Sequence, residues 1–188
     1  MPLTITTTLL GLCGSLRQRS INATLLRALS TIAPPGVAVA IHEGLGELPL
    51  FNPDRESDPP AAVRSHWSAL ERCDGVIIAS PEYAHGYTAV IKNALDWAVG
   101  RGSFVNKPVA VLNTAPRSRV AATTLKEVLR TIDACLLEEA SLDIPILGRG
   151  LNESGLVGDV EIRSRMETVL ATLLRQIRSG YAVDRAQV

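Results

Sequence analysis

Thr4-Ile5-Thr6-Thr7-Thr8-Leu9-Leu10-Gly11-Leu12-Cys13-Gly14 is a β-branched, increasingly apolar run that stops at a glycine, and a helical pattern takes over at Ile21. Such a run reads as a buried strand entering a turn. Ile21, Leu25, Leu26, Leu29 and Ile32 then recur at helical spacing, with Ser20 placed to cap the first turn and Pro34-Pro35-Gly36 to end the helix. Strands and helices go on alternating along the chain, without an internal repeat. Val37 to Ile41 is a second strand, and Leu48 to Asp58 a proline-rich loop. Pro59-Pro60 start a helix carrying Val63, Trp67 and Leu70 on one face and ending near Asp74-Gly75, and Val76-Ile77-Ile78-Ala79-Ser80 is the third strand. Tyr87 to Val99 reads as helix, Pro108 to Leu112 as the fourth strand, and Leu125, Val128, Leu129, Ile132 and Leu136 mark the next helix. Ala140 to Ile146 is the expected fifth strand. Met166, Val169, Leu170, Leu173, Leu174 and Ile177 form the stripe of the last helix, and the tail beyond Gly180 is expected to fray. Strands this apolar are covered on both faces, which calls for an α/β fold with a parallel sheet and right-handed crossovers. In such sheets ligands sit beyond the carboxyl ends of the strands, so the loops after strands one, three and four matter most.

Composition narrows the possibilities. The 188 residues fit one domain spanning 1–188, and 46% hydrophobic content supports a sizeable core. Nineteen Lys plus Arg balance nineteen Asp plus Glu, which argues against a broad nucleic-acid surface. No apolar run approaches the roughly 18 residues of a membrane span, and no basic-then-apolar leader opens the chain, so a cytoplasmic protein without a membrane anchor is expected. Cys13, Cys73 and Cys135 lack the paired spacing of a zinc site, and no metal is expected. The aromatic set is small: two Trp, three Tyr and two Phe.

The first loop, Gly14-Ser15-Leu16-Arg17-Gln18-Arg19-Ser20-Ile21-Asn22, joins a glycine turn, hydroxyl and amide donors and two guanidinium groups to the start of a helix. Free N–H groups and the macrodipole make that a natural phosphate site, against the plainer reading of a capped turn with solvated arginines. A third reading is open. Cys13 and Arg19 have the C-x5-R spacing of low-molecular-weight tyrosine phosphatases, in which a thiolate attacks phosphorus. That chemistry also needs an acid, usually an Asp-Pro-aromatic aspartate, whereas Asp143, Asp159 and Asp184 precede Ile144, Val160 and Arg185. The third-strand loop, Ser80-Pro81-Glu82-Tyr83-Ala84-His85-Gly86-Tyr87, offers main-chain groups and an aromatic wall to a flat heterocycle, or else Tyr83 and Tyr87 only pack over the sheet edge. His85 reads as a solvated loop residue, and Lys92 with Asp96 as a surface ion pair.

Gly14-Ser15-Leu16-Arg17 through Ser20 and Asn22, then Pro81-Glu82-Tyr83, then Lys92-Asn93-Ala94-Leu95-Asp96-Trp97, together with the Leu48-Pro49-Leu50 loop, resemble the NADPH-dependent FMN reductase family. The resemblance implies a flavodoxin-like three-layer sandwich whose five-stranded parallel sheet has the order 2-1-3-4-5, with helices on both faces. It implies FMN as cofactor and NADPH or NADH as donor, and Ser15, Arg17, Ser20 and Asn22 as phosphate ligands. Pro81, Glu82, Tyr83 and Ala84 would line the ring, largely through main chain, and Thr114 would join them by position. The family commonly has Asn where this chain has Ala84, and many relatives are glycine-rich where it reads Asn113-Thr114-Ala115-Pro116-Arg117-Ser118-Arg119. The Lys92 to Trp97 helix is expected to steady the flavin loop and to join a homodimer or homotetramer interface. The function implied is ping-pong reduction of a quinone or another small oxidised acceptor. A flavodoxin-like electron carrier is the rival, although such carriers tend to be acidic and this chain is neutral.

Overall fold

The computed structural model describes residues 7–117 and 119–180. The expected strand start at Thr4 and the tail beyond Gly180 lie outside them. Five strands, β1 (Thr7–Cys13), β2 (Val37–Ile41), β3 (Gly75–Ala79), β4 (Pro108–Leu112) and β5 (Cys135–Leu136), form one sheet in the order β2-β1-β3-β4-β5. Every pairing is parallel, and the order is the expected one. The helices are α1 (Ile21–Ile32), α2 (Ala61–Arg72), α3 (Ala89–Val99), α4 (Val120–Thr131), α5 (Glu153–Gly158) and α6 (Val160–Arg178).

The period-2 alternation of the strands divides the core between the two faces of the sheet. Leu9, Cys13, Ile77, Ala79, Ala110 and Leu112 pack with α1, α5 and α6. Leu10, Leu12, Val76, Ile78, Val109 and Val111 pack with α2, α3 and α4. Because both faces are covered, almost no strand residue could be polar, which is why the apolar runs were so plain in the sequence. Removing one fully buried leucine from such a layer, Leu26 for example, is expected to cost about 2–5 kcal/mol.

The edge beyond β4 departs from the expected pattern. The expected helical stripe runs through Ile132 to Leu136, but α4 stops at Thr131, and Asp133 turns the chain with a left-handed φ of 58°. Cys135 and Leu137 then donate to the Lys107 and Val109 carbonyls at 2.9 Å each. A short helical turn at Glu138–Ala140 interrupts the edge, and there the Ser141 hydroxyl takes the place of a main-chain acceptor for the Val111 N–H at 3.0 Å. Pairing resumes at the Asn113–Asp143 bridge, so the expected strand at 140–146 is the second half of a broken one. Leu136 satisfied a helical period and a strand equally well, and pairing with β4 decided between them.

Register positions the site. Cys13 lies beside Ala79, and Ala79 beside Leu112, so the carboxyl ends of β1, β3 and β4 are level and their loops emerge side by side. Among the described residues, no helix is long and apolar enough to cross a membrane.

Candidate functional site

The first loop is built by caps and one indispensable glycine. Gly14 donates its N–H to the Ala79 carbonyl at 2.8 Å, and a Cβ there would lie 2.4 Å from Ser80 Oγ and 2.9 Å from Thr88 Oγ1. Only glycine lets the loops after β1 and β3 meet. Ser20 Oγ accepts from the Ala23 N–H at 3.3 Å, the cap its position foretold, and Ser15 Oγ accepts from the Arg17 N–H at 3.4 Å. At the floor, Thr114 Oγ1 donates to Asn22 Oδ1 at 3.1 Å, a buried bond that ties α1 to the loop after β4. The guanidinium groups of Arg17 and Arg19 have no hydrogen-bond or ion-pair partner among the described residues. With the Ala23 N–H capped, the Ile21 and Asn22 N–H groups have no acceptor among the described residues, which leaves the positive end of α1 open.

The loop after β3 is held differently. Tyr83 and Gly86 exchange both main-chain hydrogen bonds, at 2.9 and 3.0 Å, around a two-residue turn in which Ala84 and His85 have φ of 50° and 59°. That double left-handed geometry favours Asn and Gly, so Ala84 stands where Asn would be the better turn former. Glu82 directs its carboxylate away from the turn: Oε2 accepts from the Ala121 N–H at 2.9 Å, at the positive end of α4, and Oε1 lies 3.3 Å from His85 Nδ1. Tyr83 stands 57% exposed at the rim.

These loops enclose a cleft of about 270 Å³. Of the expected residues, Ser15, Arg17, Ser20, Asn22, Pro81, Glu82, Tyr83 and Thr114 all line it. Ala84 does not, because the turn carries it to an exposed tip. The sequence reading missed Leu147, which enters the lining from beyond the fifth strand because its N–H is drawn to the Thr114 carbonyl at 3.1 Å. Extending the carboxyl-end rule to that strand would have found it. Cys13 is not in the lining: its thiol points into the α1 side of the core and donates to the Ser15 carbonyl at 3.4 Å. The phosphatase reading is left without a nucleophile in the cleft.

The Lys92 to Trp97 motif works elsewhere. Asn93 Oδ1 accepts from the Phe51 N–H at 2.8 Å, its Nδ2 donates to the Leu48 and Pro49 carbonyls at 3.2 and 2.9 Å, and Trp97 Nε1 donates to Pro49 at 2.8 Å. The helix thus clamps the 48–51 loop through Asn93 and Trp97, while at its N-cap the Thr88 N–H donates to Ser80 Oγ at 3.4 Å, at the start of the third-strand loop. Lys92 and Asp96 do pair on its surface. Trp67, Trp97 and Phe104 are core residues and take no part in lining the cleft. Beside this clamp, fully buried His66 faces the Ala94 carbonyl through Nε2 at 3.0 Å, so Nε2 carries the hydrogen. Its Nδ1 then accepts from His42 Nε2 at 3.1 Å, and His42 Nδ1 accepts from the Gly44 N–H at 3.0 Å. Both rings are neutral in this chain of bonds, and burial pushes the His66 pKa down to about 4.

The chain is similar to several known proteins. A 2-hydroxy-1,4-benzoquinone reductase of a Burkholderia species is 30% identical over 163 residues, 84% of this chain and 88% of that protein. A probable NADPH:quinone oxidoreductase 1 of Oryza sativa is 31% identical over 177 residues, 87% of this chain and 88% of its own. The flavoenzyme NAD(P)H:(acceptor) oxidoreductase FerB from Paracoccus denitrificans superposes with a TM-score of 0.82 at 27% identity, covering 92% of this chain and 98% of that one. With residues 7–145 also matching its family description, the chain belongs to the NADPH-dependent FMN reductase family of flavodoxin-like oxidoreductases.

Proposed function

We propose that the cleft binds FMN and that the chain, acting as one domain, carries reducing equivalents from NADPH or NADH to a quinone or another small oxidised acceptor. The observation that carries this reading is the convergence, in one cleft, of unpartnered cations at the open end of α1 with the Pro81–Tyr83 main chain and an exposed aromatic ring. That donor set fits a phosphate at one end and a flat heterocycle at the other.

Arg17 and Arg19 hold the phosphate with the N–H groups of α1, while Ser20 and Asn22, both buried and bonded within the protein, keep those donors aimed. Pro81, Glu82 and Tyr83 border the ring with main-chain groups, and the Glu82 carboxylate fixes their loop to α4. Bound FMN supplies hydride exchange at its N5, so no side-chain acid or nucleophile is required of the protein. Donor and acceptor use the same open mouth in turn, which is the ping-pong scheme. Relatives named as quinone reductases support the acceptor class. The carrier reading is weaker, since zero net charge lacks the acidic surface that steers electron carriers to protein partners. The protein is further proposed to be a cytoplasmic homodimer or homotetramer.

The test is the absorbance of the protein as purified, followed by anaerobic addition of NADPH and of NADH. A flavin spectrum that bleaches with either donor and returns with a quinone is expected. A colourless protein that neither takes up FMN nor oxidises NAD(P)H in its presence sinks the reading.

A further inference from the structure

We infer that a second cleft, built by the loops after β4 and β5, receives the anionic group of a planar acceptor, with Arg117 as the residue that reads its charge. The inference rests on the assignment of the neighbouring cleft to FMN.

This second cleft, of about 460 Å³, is lined by Ala115, Pro116, Arg117, Pro145 and Leu147. It shares Ala115 and Leu147 with the first, so a molecule lodged in it abuts whatever occupies the other. Two prolines and a leucine give it stiff apolar walls suited to a flat ring. Leu147 is 64% exposed, yet its main chain is held to Thr114, so the exposed apolar surface is placed by the fold.

The charge pattern is selective. Arg119 donates to the Pro116 carbonyl, Arg149 pairs with Asp159, and Arg165 donates to the Asp143 carbonyl, at 3.1, 2.6 and 2.9 Å. The Arg117 guanidinium has no partner among the described residues. The one acid in either lining is Glu82, whose carboxylate is already taken by α4 and His85. A chain of zero net charge therefore concentrates uncompensated positive charge at this mouth. Arg17 and Arg19 sit at the α1 end, proposed for the phosphate, and Arg117 is the cation on the other side. A single guanidinium beside an apolar slot matches a ring bearing one anionic group, such as a sulfonate, carboxylate or enolate. The nicotinamide donor carries several phosphates and would be read by more than one cation.

The experiment compares the wild-type holoprotein with Arg117→Gln and Arg117→Lys. The KM is measured for menadione, for naphthoquinone sulfonate, for NADPH and for NADH. Binding of naphthalene sulfonate and of neutral naphthalenemethanol is followed by fluorescence, without turnover. In Arg117→Gln the sulfonated quinone's KM and the naphthalene sulfonate Kd are expected to rise about five- to tenfold, with the menadione and NADPH values within about twofold and Lys restoring much of the loss. Equal shifts for both quinones, a shift confined to NADPH, or no shift at all would overturn the inference. A protein that never binds FMN overturns the functional reading instead, and the naphthalene sulfonate titration still reports on Arg117 by itself.

Discussion

Arg17 and Asn93 both belong to motifs that mark the family, and both lie beside loops that follow strands, but their polar atoms have opposite fates. Every side-chain donor and acceptor of Asn93 is engaged in clamping the 48–51 loop, and Trp97 and the His42–His66 pair complete that region with closed hydrogen bonds. Around the cleft the caps are closed too, yet the guanidinium groups that face it are left open. Half-buried groups whose bonding is complete build the fold; charged groups left open along a cleft are available to a ligand. A motif alone does not tell the two apart.

The largest way to break the contrast lies where the two cleft loops touch. Gly14→Ala forces a methyl group onto Ser80, and a loss of about 3 kcal/mol is expected in urea unfolding, with part of it recovered in the Gly14→Ala, Ser80→Gly double variant. The clamp has its own sensitivity, to acid. His66 has a folded pKa of about 4 against an ordinary value of 6.5, so the unfolded chain binds more protons between them. The contribution of His66 to stability is full above pH 6.5 and falls by about 3 kcal/mol as pH drops toward 4, with half-buried His42 shifted in the same direction. Chemical unfolding across that window should show the slope, and His66→Gln should flatten it. At the third-strand loop, Glu82→Ala leaves the Ala121 N–H without its acceptor and is expected to cost about 1–2 kcal/mol in thermal unfolding. The smallest effect has the opposite sign. Ala84→Asn suits the left-handed backbone and should stabilise by about 0.5–1 kcal/mol, with no change in the cleft lining.

Which parts were legible follows from how local their causes are. β1 to β4, α1 and its Ser20 cap were readable because a parallel sheet covered on both faces demands continuous apolar runs and the cap acts within three residues. β5 was not, because Leu136 fits either period and only the Lys107 and Val109 carbonyls decide it. In the site, Ser15 to Asn22 were visible from a glycine turn leading into a helix. Leu147 follows directly on the expected fifth strand, but its place in the lining depends on a main-chain bond to Thr114 of another loop. The Lys92 to Trp97 motif was visible but its clamp on the 48–51 loop was not, since those partners lie more than 40 positions away.

The central claim is tested most directly by measuring FMN affinity and unfolding midpoint side by side in Arg17→Ala and Asn93→Ala. The expectation is that Arg17→Ala unfolds like the parent, within about 0.5 kcal/mol, while FMN binding weakens by about tenfold or more. Asn93→Ala should lose about 2–3 kcal/mol of stability and, at temperatures where it remains folded, bind FMN within about threefold of the parent. If Arg17→Ala instead unfolds early with its FMN affinity intact, the open cations are structural and the account is wrong.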